Sequence, residues 1–229
     1  MRRTVTAMVL ALTVAAPAAG AAVISGTPRD DTLVGTAAAD VVRARGGGDV
    51  VRGLGGDDRL YGGAGADVLR GGPDGDVAAG GADRDLLAGG GGRDLLFGDG
   101  AGDRLVGGVG RDVLSGGAGD DRLSGGPGHD SLTDGVISEL TDEPGDDVLR
   151  GSSGDDFFGV TGGRDLVVAG AGDDEVKTVD DGLPDLLDCG DGHDRVTYYA
   201  LDGTGGVDPL DVLVGCEVVS EAADLAPPE

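Results

Sequence analysis

The sequence predicts an all-β repeat architecture, and three observations carry that reading. A nine-residue unit recurs without a gap from Gly26 to Thr133, twelve times in all. In every one of those units the sixth residue is Asp and the eighth is aliphatic. The 229 residues include 49 Gly, no Trp, three Phe and three Tyr, too few large side chains for an ordinary globular core. Positions one to six of a unit carry the glycines that permit positive φ and close backbone approach, so they form a turn. Positions seven to nine form a short strand. Its eighth side chain points inward while seven and nine point out, because side chains alternate along a strand.

Residues 1–21 read as a secretory signal peptide. Arg2 and Arg3 precede a short apolar stretch, MVLALTVAA at 8–16, and Ala19-Gly20-Ala21 fits a small-residue cleavage site. A membrane anchor is the competing reading; against it, the run is short for a spanning helix and Pro17 interrupts it. The mature chain is therefore expected to be secreted and extracellular, with no membrane span. Residues 22–133 hold the first block of repeats. Position six there is Asp31, Asp40, Asp49, Asp58, Asp67, Asp76, Asp85, Asp94, Asp103, Asp112, Asp121 and Asp130. Residues 134–141, DGVISELT, form an inserted loop, and the frame resumes as a second block over 142–197. Asp147, Asp156, Asp165 and Asp174 take position six in its first four units. Thr178 and Val179 are extra, and units 180–188 and 189–197 are looser.

The consensus G-G-x-G-x-D-x-U-x, with U a large apolar residue, resembles the RTX (hemolysin-type) calcium-binding nonapeptide. The best copies are GGAGADVLR at 62–70, GGVGRDVLS at 107–115 and GGAGDDRLS at 116–124. The resemblance covers residues 26–177 well and 178–197 loosely. It implies a parallel β-roll, a β-solenoid of 18-residue coils with two nonapeptides per coil, in which units two apart stack at about 4.8 Å. The aspartates of the first block then fall into two columns, one from Asp31 to Asp121 and one from Asp40 to Asp130. Neighbouring carboxylates in a column repel by roughly 3 kcal/mol at an effective dielectric of 20. A hard divalent ion reverses that, and calcium takes six to eight oxygens from carboxylates and carbonyls. The implied cofactor is Ca²⁺ in multiple copies, about ten in the first block and a few more in the second. Magnesium fits poorly, because it holds its waters and demands a tight octahedron. The sixteen aspartates from Asp31 to Asp174 are the expected metal ligands, with the two looser units read as capping structure that binds nothing. Arg29, Ala38, Asp74, Asp83 and Ala101 replace glycine at position four and are expected to distort their turns. Ala78 underfills the core, and Val160 and Ala169 replace the first glycine of their units.

Residues 198–229 leave the period and read as a C-terminal cap with a disordered tail. Val212, Val214, Val218 and Val219 suggest one or two strands that cover the open end, as repeat arrays require. Cys189 and Cys216 are the only cysteines. In a secreted chain an even count favours a disulfide over two buried thiols. Zinc lacks ligand spacing, since the only histidines, His129 and His193, each sit at position five of a turn.

A formal charge of −26 makes nucleic acid and anionic membrane poor partners and cations good ones. No H-E-x-x-H, G-x-S-x-G or Walker A motif occurs, so no enzyme activity is expected. The expected function is a secreted calcium-binding β-roll that folds on binding Ca²⁺. The alternative is a calcium-dependent adhesive or partner-binding extracellular module. It rests on outward position seven, which is apolar at Val50, Val68 and Leu86 on one face and at Val77, Leu95 and Val113 on the other. Such ladders suit an extracellular surface, a glycan or another copy, although ordinary β-propensity explains the same residues. Arg52 and Arg70 at position nine read as offsetting local acid.

Overall fold

A computed structural model of the protein describes residues 13–15, 20–135, 145–180, 182–200 and 210–221. Strands alternate between two parallel sheets of 11 strands each. The first sheet runs through Thr13–Ala15, Thr32–Val34, Val50–Arg52, Val68–Pro73, Leu86–Gly92, Arg104–Gly110, Arg122–Pro127, Val148–Ser153, Leu166–Ala171, Leu186–Asp191 and Val212–Val214. The second interleaves Val23–Ser25, Val41–Gly46, Arg59–Ala64, Val77–Ala82, Leu95–Gly100, Val113–Ala118, Ser131–Thr133, Phe157–Val160, Glu175–Asp180, Arg195–Ala200 and Val218–Glu221. Among the described residues no helix is long and apolar enough to cross a membrane.

Register follows the period. Val50, Val68 and Leu86 pair in sequence, as do Val51, Leu69 and Leu87. One coil is therefore two nonapeptides, the parallel β-roll that the sequence predicts. The inserted loop leaves this register intact, because Arg122 pairs with Val148 and Ser131 with Phe157. Of DGVISELT, only Asp134 and Gly135 fall within the described residues.

The interior is one file of position-eight side chains between the sheets. Leu33, Val51, Leu69, Leu87 and Leu105 come from the first sheet and Val42, Leu60, Leu96, Leu114 and Leu132 from the second, all fully buried. Each contributes roughly 1.5–3 kcal/mol by leaving water. Most strands run six or seven residues, longer than the expected three. Alternation explains the extension, because position one of the next unit points inward again. Where that position is not glycine, at Ala44, Val160, Ala169 and Cys189, the side chain is buried.

One expectation needs correction, at three of its five residues. Asp74, Asp83 and Ala101 do not distort their turns. They hold φ of 76°, 78° and 72°, the left-handed conformation that glycine takes at position four elsewhere. Position two has the same demand, met without glycine by Arg45, Leu54, Asp99 and Ser152. Each such residue costs roughly 1–2 kcal/mol, which the surrounding stack must outweigh. Past residue 197 the nine-residue period lapses, but two strands still stack on the coil. Val212–Val214 and Val218–Glu221 pair in parallel with the strands starting at Leu186 and Arg195. The Cys189–Cys216 disulfide, with Cα atoms 5.2 Å apart, ties this end to the preceding coil. The tail beyond Glu221 lies outside the described residues, as does most of the segment read as a signal peptide. One piece of that segment, Thr13–Ala15, pairs in parallel with Thr32–Val34.

Candidate metal centre

Two aspartate ladders climb the edges of the roll. Each position-six residue donates its backbone N–H to the Oδ1 of its counterpart one coil on: Asp49 to Asp67, Asp67 to Asp85, Asp58 to Asp76 and Asp76 to Asp94, all at 2.7–2.8 Å. Its carbonyl meanwhile accepts from the next strand, as Asp49 O does from Val68 N at 2.8 Å. The pattern crosses the insertion, where Asp121 donates to Asp147 and Asp130 to Asp156. It passes the extra Thr178 and Val179, where Asp165 donates to Asp185 and Asp174 to Asp194. All sixteen predicted aspartates occupy these ladders, in the two columns that the period assigns. Asp185 and Asp194, left out of the expected ligand set, extend them.

Two further members escape the nonapeptide frame. Asp185 N donates to Asp211 Oδ1 at 2.8 Å, and Asp194 N to Glu217 Oε2 at 3.1 Å. The residual signal is Asp211-Val212-Leu213 and Glu217-Val218-Val219, an acid two residues before an aliphatic, stripped of its glycines.

The second carboxylate oxygens are the unusual feature. Fourteen aspartates, Asp49 through Asp130 together with Asp156, Asp165, Asp174 and Asp194, bury Oδ2 with no hydrogen-bond partner. A buried, unpaired carboxylate oxygen is costly. Threonine removes that cost at three ladder residues, one of them Asp185, whose Oδ2 accepts from Thr178 Oγ1 at 3.4 Å. Asp31 Oδ2 accepts from Thr27 N and Oγ1 at 2.6 and 2.9 Å, and Asp40 Oδ2 accepts from Thr36 N at 2.5 Å. Asp134, on the insertion, takes the N–H and hydroxyl of Thr161 in a similar way.

Glycine at position one makes room for these oxygens. No positive φ is recorded at Gly53, Gly62, Gly71, Gly80 or Gly89; a Cβ there would instead strike the Oδ2 of Asp58, Asp67, Asp76, Asp85 or Asp94 respectively. At Gly62 it would also meet the Gly80 carbonyl oxygen of the next coil, at 2.6 Å. At positions two and four a Cβ would instead strike the backbone of the coil before, as at Gly63 against the Arg45 carbonyl oxygen and at Gly92 against that of Asp74. The turns from Asp49 to Asp121 thus gather carboxylate and peptide oxygens. Among the described residues no three His, Cys, Asp or Glu side chains converge as a cluster. The oxygen set here is two carboxylates plus backbone, which is the hard-donor set that calcium takes.

Burial holds the ladder carboxyls from Asp49 to Asp174 above the usual range, only partly opposed by the N–H each accepts, and at most of them neighbouring carboxylates add to the rise. Asp67, Asp76 and Asp103 are pushed up to about 7. Asp147 reaches about 8 and Asp165 about 9. Without a cation, the stack resists ionisation. The two histidines lie on the exposed rim. His129 Nδ1 accepts from Asp155 N at 3.0 Å, and His193 Nδ1 lies 3.2 Å from Glu217 Oε2.

An all-strand parallel roll with carboxylates stacked along both edges defines a calcium-binding β-roll, one that carries multiple Ca²⁺ ions. The model of the RTX calcium-binding nonapeptide repeat (4 copies) matches residues 25–60, 44–78, 70–103, 97–132 and 141–176. These matches span more than half of the chain, and the protein belongs to that family. No curated protein matches it.

Proposed function

We propose that the protein is a secreted calcium-binding β-roll whose coils fold as they bind Ca²⁺, each ion held in a glycine turn between successive aspartates of a ladder. The row of buried, unpartnered Oδ2 atoms supports this most directly. Bound calcium supplies positive charge at those oxygens. The chain's part is to aim them: the N–H of one aspartate fixes Oδ1 of the next, leaving Oδ2 toward the space that glycine opens. The sites begin at Asp49 and Asp58, because threonine already satisfies Asp31 and Asp40. Ligand binding to the folded chain alone stabilises it by mass action, so metal and fold are one equilibrium. The apolar position-seven residues are half-buried by their ladder neighbours, and the protein acts by presenting these outer faces rather than by catalysis.

The test is ion stoichiometry. Asp67→Asn keeps an oxygen that can accept from Asp49 N but removes the charge, and it should reduce the calcium bound per chain in calorimetric titration. Asp31→Asn should leave the stoichiometry unchanged. Equal effects would remove the orphaned oxygens as the basis for choosing ligands.

A further inference from the structure

Three units of the repeat carry threonine at position two: Thr27, Thr36 and Thr161. Four residues on in each stands the ladder aspartate, Asp31, Asp40 and Asp165. The first two threonines turn onto their own aspartate. Thr27 donates its N–H and hydroxyl to Asp31 Oδ2, and Thr36 donates its N–H to Asp40 Oδ2. Thr161 does not follow them. Its N–H and its hydroxyl both go to Asp134 Oδ2, the hydroxyl at 3.2 Å, and Asp165 Oδ2 stays buried with no hydrogen-bond partner. The same local spacing thus has two outcomes, and Asp134 accompanies the second.

Asp134 reaches Thr161 because the insertion begins there. Its backbone takes position one of a turn: the Asp134 carbonyl accepts from Gly117 N. A Cβ on Gly116 would meet that carbonyl oxygen at 2.8 Å, as one on Gly62 would meet that of Gly80 at 2.6 Å. Position one faces inward, and glycine fills it in every first-block unit except that of Ala44. Asp134 instead buries a carboxylate there. Oδ1 accepts from Gly135 N at 2.5 Å and Oδ2 from Thr161, so both oxygens are engaged.

The closed aspartates lie toward the ends of the ladders. Asp31 and Asp40 are early rungs, and Thr178 closes Asp185 near the far end of one column. Asp165 lies inside that column, between Asp147 and Asp185. Closure there would take a carboxylate oxygen from mid-ladder. We propose that Asp134 holds Thr161 away from Asp165 and so keeps this interior rung open to Ca²⁺. Asp134 is then a positioning residue, which acts by engaging the cap and not by touching the ion. Hydrogen bonds to a carboxylate are strong and directional, so an N–H and a hydroxyl committed to one are lost to another. Val160 stands at position one of the same turn, where both capped turns have glycine, and a block by Val160 alone is the competing account. The proposal rests on the reading that ions sit between successive ladder aspartates.

The test counts Ca²⁺ bound per full chain, by equilibrium dialysis and metal analysis at saturating calcium. Asp134→Gly restores the residue usual at position one and releases Thr161, so the count should fall by at least about one. Thr161→Gly should keep the wild-type count. Glycine at position two, as at Gly63 and Gly81, holds positive φ and leaves Oδ2 of Asp67 and Asp85 open. The double variant Asp134→Gly/Thr161→Gly should return the count to that of wild type, a rescue that a merely structural role for Asp134 does not give. A wild-type count in Asp134→Gly would overturn the proposal in favour of Val160. A loss that persists in the double variant would overturn it in favour of Asp134 as an anchor or a ligand. A wild-type chain that binds no Ca²⁺ would overturn the ladder reading itself, and this proposal with it.

Discussion

Gly90 and Gly91 are chain neighbours with different tasks. Gly90, at position two, holds φ of +123°, and a Cβ there would strike the Gly72 carbonyl oxygen, whereas a Cβ on Gly91 would meet nothing nearer than 4.0 Å. Gly90→Ala should therefore cost roughly 1–3 kcal/mol in denaturant unfolding at saturating calcium, and Gly91→Ala less than about 0.5 kcal/mol. Equal costs would mean that composition, and not position, explains the glycines. At this scale the sequence was only half legible. Asp at position six and the aliphatic residue at eight stand out because each does one job in every coil. Glycine at position one looked like another request for positive φ, when its task is to leave space for Oδ2. The threonine caps at Thr27 and Thr36 were not foreseen, because the identity of position two matters only once Asp31 and Asp40 have been placed within its reach.

Among the elements, the C-terminal pair is the one the repeat frame reads least well. The valines at 212, 214, 218 and 219 gave away the strands. Asp211 and Glu217 escaped, since the glycines that mark every other turn are missing there. The Cys189–Cys216 link has a sequence separation of 27, which implies roughly 3–4 kcal/mol by loop closure. Reduction should accordingly release Val212–Val214 and Val218–Glu221 first. Hydrogen exchange should show amides in 210–221 losing protection while those of Leu86–Gly92 keep theirs. Uniform loss along the roll would show that the last coil is held no more by the disulfide than any other. Strand length was underestimated for a related reason: the inward turn of position one is invisible when its residue has no side chain.

The whole molecule is an elongated balance between a narrow aliphatic file and two rows of confined acid. Carboxyls that titrate near 3.8 in the open chain are raised to about 6 at Asp49 and Asp58, about 7 at Asp67 and Asp76, and about 9 at Asp165 when stacked. The stacked, metal-free chain thus binds more protons than the open one between those limits. Its stability is greatest below the open-chain value and falls as pH climbs through the stacked values. In chelator, lowering the pH from about 8 to about 5 should increase the β-signal in circular dichroism. A constant spectrum would argue against acid confinement as the opposing force. Calcium should act in the other direction along the same axis, binding more tightly as pH rises because its ligands must lose their protons. The two-column arrangement was readable at this scale from the period and the family resemblance together. That Tyr61, Phe97, Phe157, Phe158, Tyr198 and Tyr199 all lie on strands of the second sheet was not, because it requires knowing which units share a sheet.

The most direct test of the whole account is the hydrodynamic radius and β-content of one sample at neutral pH, first in chelator and then in excess calcium. The chain should contract and gain parallel β-signal as the metal is added. A chelated sample already as small, as β-rich and as resistant to heat as the loaded one would show that the ladders close without an ion between their rungs.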